Sequence, residues 1–535
     1  MAEIRVRVGG ESHILTGDFM TMVEVVKSCD NRSYDPVTKE WTVFPSPANV
    51  ERLRPYNGAI RILDLTEQAK MVKEKCPYLY PFQASGVAEL LYNGKVLLGD
   101  HVGNGKSVMA IAWASMLSEC PHKIITCPAT LKEQWAEEVK KFIVSNVMIL
   151  EGSKKQRREI YRKFIIKGGF LIGSYETMRQ DVEEIKQIPP PFAIIEDEVH
   201  RLKNKKSKTY KAFKEIRASR IIGLSATPFT NYPNELFAVM EHLNPGWMRW
   251  GEFSEKYCLW GERWTGKDIV RIIIGYKNLL ELNDKIRPFM VRRSREEVAQ
   301  DLPPKTFKNV ICELGKEQKR LHDHYKKVLI EGDAGQALVG FMMARMASNS
   351  TDLIKLSESE MKIPVNGSES GKIEKLGELI DGIEGKIVVF TQWKRMANLV
   401  HKSVPNSLLV TGDTVDKHSV ITTFKESNLR ILIATDCINA GINLDCATTV
   451  INVDLPFTEV RLQQRNGRID RLTQTKPMMF INLISENSIE WRVWKILQRK
   501  KASFDASIDG DDEAAKKIVE ELKREWKKEV SAECD

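Results

Sequence analysis

Residues Lys95–Met116 read KVLLGDHVGNGKSVMAIAWASM, a short apolar run, a glycine-punctuated turn and then apolar residues at helical spacing. A strand that turns through glycines straight into a helix gathers backbone N–H groups and the positive end of the helix dipole at one point, which suits an anion. Lys106 adds a cation there, and Ser107 adds a hydroxyl able to ligate Mg²⁺. Gly103, Asn104, Gly105, Lys106 and Ser107 are therefore candidates for holding nucleotide phosphates. The full eight-residue phosphate-loop pattern asks for glycine at position 100, where this chain has Asp100, so a tight turn without a ligand stays open for the motif alone.

The alternation continues downstream. KVLLGD, KIITCP, VMILEG, GFLIGS, FAIIED and RIIGLS follow one another with helical segments between most of them. A second series runs KIVVFT (386–391), SLLVTG (407–412), RILIATD (430–436), TTVINVD (448–454) and MMFINLI (478–484). Each series predicts an α/β domain with a parallel sheet covered by helices on its faces. The expected organisation is a small α+β module at 1–68, a first α/β domain at 69–245, a helical insertion and linker at 246–370, a second α/β domain at 371–508 and a charged, helical tail at 509–535. In the first module, RSYDPVTKEWTVFP predicts a hairpin turning at Asp35-Pro36, beside the strand-like IRVRV and AIRILD.

The length of 535 residues allows roughly three or four domains. No apolar stretch reaches the roughly 18 residues that span a bilayer, and no leader-like start is present, so a cytoplasmic protein without a membrane partner is expected, or a nuclear one if eukaryotic. The nine cysteines are scattered without a Cys-x-x-Cys pair, which predicts reduced thiols and no structural zinc. A net charge of +9 is mild for this size; it serves solubility and permits a polyanionic partner.

About ninety residues beyond Lys106, IIEDEVHRLKN (194–204) places three acids at the end of an apolar strand. A nucleotide-hydrolysing domain needs carboxylates at that edge of its sheet: Asp197 to hold Mg²⁺ and Glu198 to orient or deprotonate the attacking water. A solvated acidic turn is the alternative. In the second domain, Gln464-Arg-Asn-Gly-Arg-Ile-Asp-Arg471 sets Arg468 and Arg471 at i and i+3, expected on one helix face, where two guanidinium forks can reach phosphate oxygens. A surface arginine pair is the bland alternative there.

These motifs, in this order over roughly residues 76–505, resemble superfamily 2 helicases and, among them, the Swi/Snf-like DNA translocases. YPFQASGVAELL is similar to the family's glutamine motif, which implies that Gln83 reads adenine. DHVGNGKS resembles its phosphate loop, whose leading acid matches Asp100, while His101 and Ser107 depart from the usual Glu and Thr. CPATLKEQWAEEVKKF, IGSYETMRQD, DEVHRLKN, GLSATPFTNYPNELFAVMEHLNP, VVFTQWKRM, ATDCINAGINL and QRNGRIDRLTQTKP resemble the remaining motifs. LLELNDKIRPFMVRRSREEVAQDLPPK and FSEKYC look most like the annealing-helicase, fork-remodelling branch, and RSYDPVTKEWTVFPSPANVERL resembles that branch's HARP-like accessory module.

The resemblance implies two RecA-like domains that clamp ATP and Mg²⁺, with Lys106, Asp197, Glu198, Arg468 and Arg471 catalytic. It adds Gly441 and Gln464 to the nucleotide site, with His200 and Gln464 coupling nucleotide to DNA. It places Thr130, Ser174, Tyr175, Arg201, Lys203, Gln392, Thr435 and Asn443 on the backbone of duplex or forked DNA with little sequence preference. Thr130 and Ser174 could equally be helix caps, and Trp135 reads as core. The implied activity is ATP-driven translocation on duplex DNA by a monomer that remodels forks or reanneals strands. The alternatives are a motor that displaces bound proteins and a nucleotide-gated clamp that does not step.

Overall fold

The computed structural model describes residues 2–8, 11–17, 19–28, 32–35, 40–43, 53, 65–227, 233–264, 268–293, 298, 303–438 and 442–504. Two compact units are present: the first takes in chiefly Met1–His101 and Gly105–Val298, the second chiefly Ala299–Lys501.

At the start of the first unit, β1 (Ala2–Val8) pairs antiparallel with β2 (Glu11–Gly17) and parallel with β4 (Glu40–Val43), which β3 (Arg32–Asp35) flanks antiparallel. Helix Phe19–Ser28 joins β2 to β3. The expected hairpin is the β3–β4 pair; its turn, the AIRILD segment and the tail 509–535 lie outside the described residues.

The body of this unit is a parallel sheet of seven strands: β5 (Lys95–Leu98), β6 (His122–Cys127), β7 (Val147–Ile149), β8 (Gly169–Ser174), β9 (Phe192–Asp197), β10 (Arg220–Leu224) and β13 (Met290–Val291), in the order β13-β5-β10-β9-β6-β8-β7. The central strands are buried on both faces, which is why FAIIED and RIIGL are continuous apolar runs rather than alternating ones. A separate antiparallel ribbon pairs β11 (Cys258–Trp264) with β12 (Ile269–Tyr276).

The second unit repeats the plan with six parallel strands: β14 (Lys305–Cys312), β15 (Ile387–Thr391), β16 (Ser407–Val410), β17 (Ile431–Thr435), β18 (Thr449–Asn452) and β19 (Met478–Ser485), in the order β14-β19-β18-β15-β17-β16. Alternate residues serve opposite faces. Ile387, Val389, Ile433 and Ile451 join one core, while Val388, Phe390, Leu432 and Val450 join the other.

The stretch 246–370, expected as a helical insertion, is divided differently. It supplies the β11–β12 ribbon and β13 to the first unit and β14 to the second, ahead of the helices Lys316–Glu331 and Ala334–Asn349. Strand β13 is only two residues long and β14 is a largely exposed edge, so neither leaves the apolar run that marks a central strand. No helix among the described residues is long and apolar enough to cross a membrane.

One buried ion pair fastens the helical part of the second unit to its sheet. Lys372 Nζ donates to Glu490 Oε1 at 2.7 Å, Asn349 Oδ1 at 3.0 Å and the Val453 carbonyl at 2.6 Å, while Glu490 Oε2 accepts the Ser485 N–H at 2.9 Å. Both side chains are shut off from water. Lys372→Met strands the Glu490 charge and is expected to destabilise the chain by about 3–5 kcal/mol. Urea melts should show the double change Lys372→Met, Glu490→Leu to be milder than the single one.

Candidate functional site

In the first unit the candidate groups collect at the carboxyl edge of the sheet, where the loops after β5, β10, β9, β6 and β8 emerge in that order. Gly103 and Gly105 take φ of +91° and +77°, so the turn before helix Lys106–Met116 is left-handed at both glycines. A Cβ on Gly105 would also meet Gln83 Nε2. Lys106 Nζ donates to the carbonyls of Asp100 at 2.8 Å and His101 at 3.0 Å, folding the ammonium into the loop. Burial lowers its pKa to about 8, against the pull of Asp100 and Glu198. Ser107 lies half-buried in the first helical turn.

Gln83 is nearly inaccessible, and its Oε1 accepts the Tyr80 N–H at 2.9 Å, so it caps its own helix while its Nε2 lies against the loop.

Asp197 ends β9, and Glu198 follows at φ 54°, ψ 50°. A carboxylate residue in left-handed backbone costs on the order of 1–3 kcal/mol, a strain typical of functional turns. Burial, reinforced by the adjacent Glu198 charge, pushes the Asp197 carboxyl up to about 7, with Trp135 and Lys106 opposing. Two oxygen-donor carboxylates with unrelieved repulsion, a lysine beside them and a left-handed glycine turn fit a Mg²⁺–triphosphate, with Ser107 and Asp197 as the metal-facing oxygens. His200 Nδ1 lies 3.1 Å from Glu198 Oε2 and 3.3 Å from Ser225 Oγ, which links the acid to the Ser225-Ala-Thr227 turn.

Three contacts escaped sequence reasoning. Trp135, expected in the core, is indeed buried, but its indole N–H also donates to Asp197 Oδ2 at 2.9 Å. Glu196, which had no assigned role, is buried with both carboxylate oxygens 2.9 Å from His242 Nε2. Arg292 and Arg293 reach the loop from β13. Each pairing spans between 46 and 193 residues, a range at which local pattern carries no signal.

The candidate DNA contacts divide by exposure. Thr130 and Arg201 are open to solvent, with Arg201 Nη1 on Glu176 Oε1 at 2.9 Å; Lys203 is half-buried, 3.1 Å from Glu235. Tyr175 is buried and its phenol donates to the Asp197 carbonyl at 2.9 Å, so it supports the acidic turn. Ser174 is likewise buried and accepts the Thr177 N–H at 3.1 Å as a helix cap.

In the second unit the candidates also follow strand ends. Thr435 closes β17 and is buried. Gln392 commits both side-chain N–H groups, to Asp454 Oδ1 at 3.0 Å and the Leu455 carbonyl at 2.6 Å, leaving no amide donor for a phosphate. Asn443 makes a local turn with Asp445, and Gly441 lies outside the described residues.

Helix Glu459–Asn466 carries Gln464 but stops before the arginines, so Arg468 and Arg471 do not share a helix face as expected. The chain leaves the helix at Gly467, and the turn is sewn to the neighbouring loop by Leu444 N–H on the Arg468 carbonyl (2.9 Å) and Arg468 Nη1 on the Ile442 carbonyl (3.1 Å). Arg465 is the fully buried member: its Nε donates to Asp436 Oδ1 at 2.7 Å.

The SNF2-related domain model matches residues 62–365, more than half of the chain, and the helicase conserved C-terminal domain model matches 371–473. The chain belongs to the SNF2-related family. The Drosophila melanogaster SWI/SNF-related matrix-associated actin-dependent regulator of chromatin subfamily A-like protein 1 is 25% identical over 523 residues, covering 90% of this chain and 65% of that protein. The Bacillus subtilis ATP-dependent helicase YqhH is 25% identical over 467 residues, covering 80% and 78%. The Arabidopsis thaliana ATP-dependent DNA helicase DDM1 is 27% identical over 488 residues, covering 81% and 63%. The chain thus spans less than two thirds of the length of the fly and plant relatives.

A solved Sulfolobus solfataricus SWI2/SNF2 ATPase core in complex with dsDNA is 24% identical, with TM-score 0.38, covering 81% of this chain and 93% of that one.

In this SNF2-related chain, Trp135→Phe keeps the ring but removes the N–H that steadies Asp197. The Mg²⁺ concentration for half-maximal ATP turnover is expected to rise by about tenfold. Lys106→Ala should abolish ATP binding in a filter or fluorescence assay. Glu198→Gln should retain binding and lose turnover by about a hundredfold or more; wild-type turnover in that variant would remove Glu198 from the chemistry.

Proposed function

We propose that the chain is an ATP-dependent DNA translocase that hydrolyses ATP to move along duplex DNA, and that its work is to remodel forks or reanneal strands. The observation that carries the ATPase part is the cluster at the carboxyl edge of the first sheet: a left-handed glycine turn, Lys106 within Coulombic reach of Asp197 and Glu198, and an Asp197 carboxyl raised by burial and by the Glu198 charge. Lys106 and the loop N–H groups bind phosphate, and Glu198 positions the attacking water and takes its proton. Ser107 and Asp197 would hold Mg²⁺, which would supply charge neutralisation at the transferred phosphate. Arg468 and Arg471 are proposed as guanidinium forks for nucleotide phosphate oxygens, and Gln83 as the reader of the base.

The duplex-tracking part draws support from the family match and from the plant relative, an ATP-dependent DNA helicase by name. The exposed Thr130 and Arg201 and the half-buried Lys203 are the first-unit residues offered to DNA phosphates. The fork-remodelling part rests on the resemblance of segments 253–258, 280–305 and 32–53 alone.

ATP hydrolysis should rise with duplex and forked DNA and fall steeply as salt is raised, because phosphate contacts release counterions. The comparison set is duplex, single-stranded and forked DNA and RNA; no stimulation by any DNA would sink the translocase reading. Triplex displacement then tests stepping. Fork regression, run with and without residues 1–68, separates remodelling from displacement of a bound protein block.

A further inference from the structure

Arg292 and Arg293 follow β13, the edge strand that pairs with β5, and both turn back over the start of the phosphate loop. Arg293 Nη2 donates to Asp100 Oδ2 at 2.6 Å, and its backbone N–H and Nε donate to Asp100 Oδ1 at 2.9 and 3.3 Å. Its Nη1 donates to the carbonyl of Phe82, and the guanidinium lies 5.5 Å from the Phe82 ring centroid. Asp100 is wholly inaccessible to water, so a carboxylate there needs a partner held in place.

Gly86, on the same helix as Phe82, makes the room. A Cβ at that position would come within 2.8 Å of the guanidinium carbon. Arg292 adds a second tie, donating to the carbonyls of Gly99 and, at 3.2 Å, Ala226.

Arg293 therefore grips two places at once: the residue next to Gln83 and the residue that opens the loop carrying Lys106. A base and its phosphates can be held together only if the spacing between Gln83 and that loop matches the nucleotide. We propose that Arg293 is a positioning residue for the nucleotide, whose two-sided fork sets that spacing and with it the preference for ATP over nucleotides with other bases. The proposal rests on the ATPase reading above. It also accounts for Asp100 in a position where the simple phosphate-loop pattern asks for glycine: the acid is the anchor for the arginine.

The test is equilibrium binding to the full chain of fluorescent ATP and GTP analogues, with inorganic tripolyphosphate as a competitor that has no base. Arg293→Lys keeps a charge for Asp100 but cannot fork to the Phe82 carbonyl as well. Gly86→Ala keeps every charge and crowds the guanidinium. Both should lose about tenfold in ATP affinity and about tenfold in the ATP-to-GTP ratio, while tripolyphosphate affinity stays within about threefold.

A general loss of structure would weaken ATP and tripolyphosphate alike and leave the ratio unmoved. That result overturns the proposal, as does a wild-type ratio in either variant that melts like the wild type. Failure of both variants to fold also overturns it, because a positioning residue leaves the fold standing. Wild-type protein that binds neither nucleotide would instead overturn the ATPase reading, a distinguishable outcome.

Discussion

Two adjacent carboxylates at the end of a buried strand are the constraint on which the first unit's site is built. Asp197 and Glu198 repel one another, and burial raises the cost of ionising Asp197. The surroundings answer with donors rather than with dilution: the Trp135 indole on one Asp197 oxygen, the Tyr175 phenol on its backbone carbonyl, Lys106 opposite and His200 beside Glu198. Glu196, which points to the other face of β9, is paired separately with His242 Nε2 at 2.9 Å. Three consecutive acids thus have three different environments, and only the last two are left with charge for a cation to relieve.

The same economy of position recurs around the phosphate loop. Its glycines are left-handed, its lysine is folded onto loop carbonyls, and its acid is locked by an arginine from a strand added at the sheet edge. The loop is therefore held from beneath by its helix and from the side by β13. A site held at both ends presents its N–H groups in a fixed array, and fixed dipoles bind a developing charge better than ones that must reorganise.

Much of this was legible in the chain itself. The apolar runs of β5, β6, β8, β9 and β10 mark the parallel strands because a strand buried on both faces has no polar side to show. Lys106, Asp197 and Glu198 were legible because a glycine turn into a helix and acids at a strand end are local signatures. The burial of Tyr175, Ser174 and Thr435 was not legible, since a motif position specifies a residue type but not the direction in which its side chain leaves the backbone.

By itself the sequence determined the two parallel sheets, their loops and the acids and lysine that emerge from them, because each depends on periodicity or spacing within about twenty residues. Tertiary structure alone decided which side chains meet. Trp135 reaches Asp197 across 62 residues and Arg293 reaches Asp100 across 193, and β14 joins the second sheet beside β19 although its own pattern is that of an exposed edge. Such contacts are closed by strand order and packing, and neither is encoded at any one position in the chain.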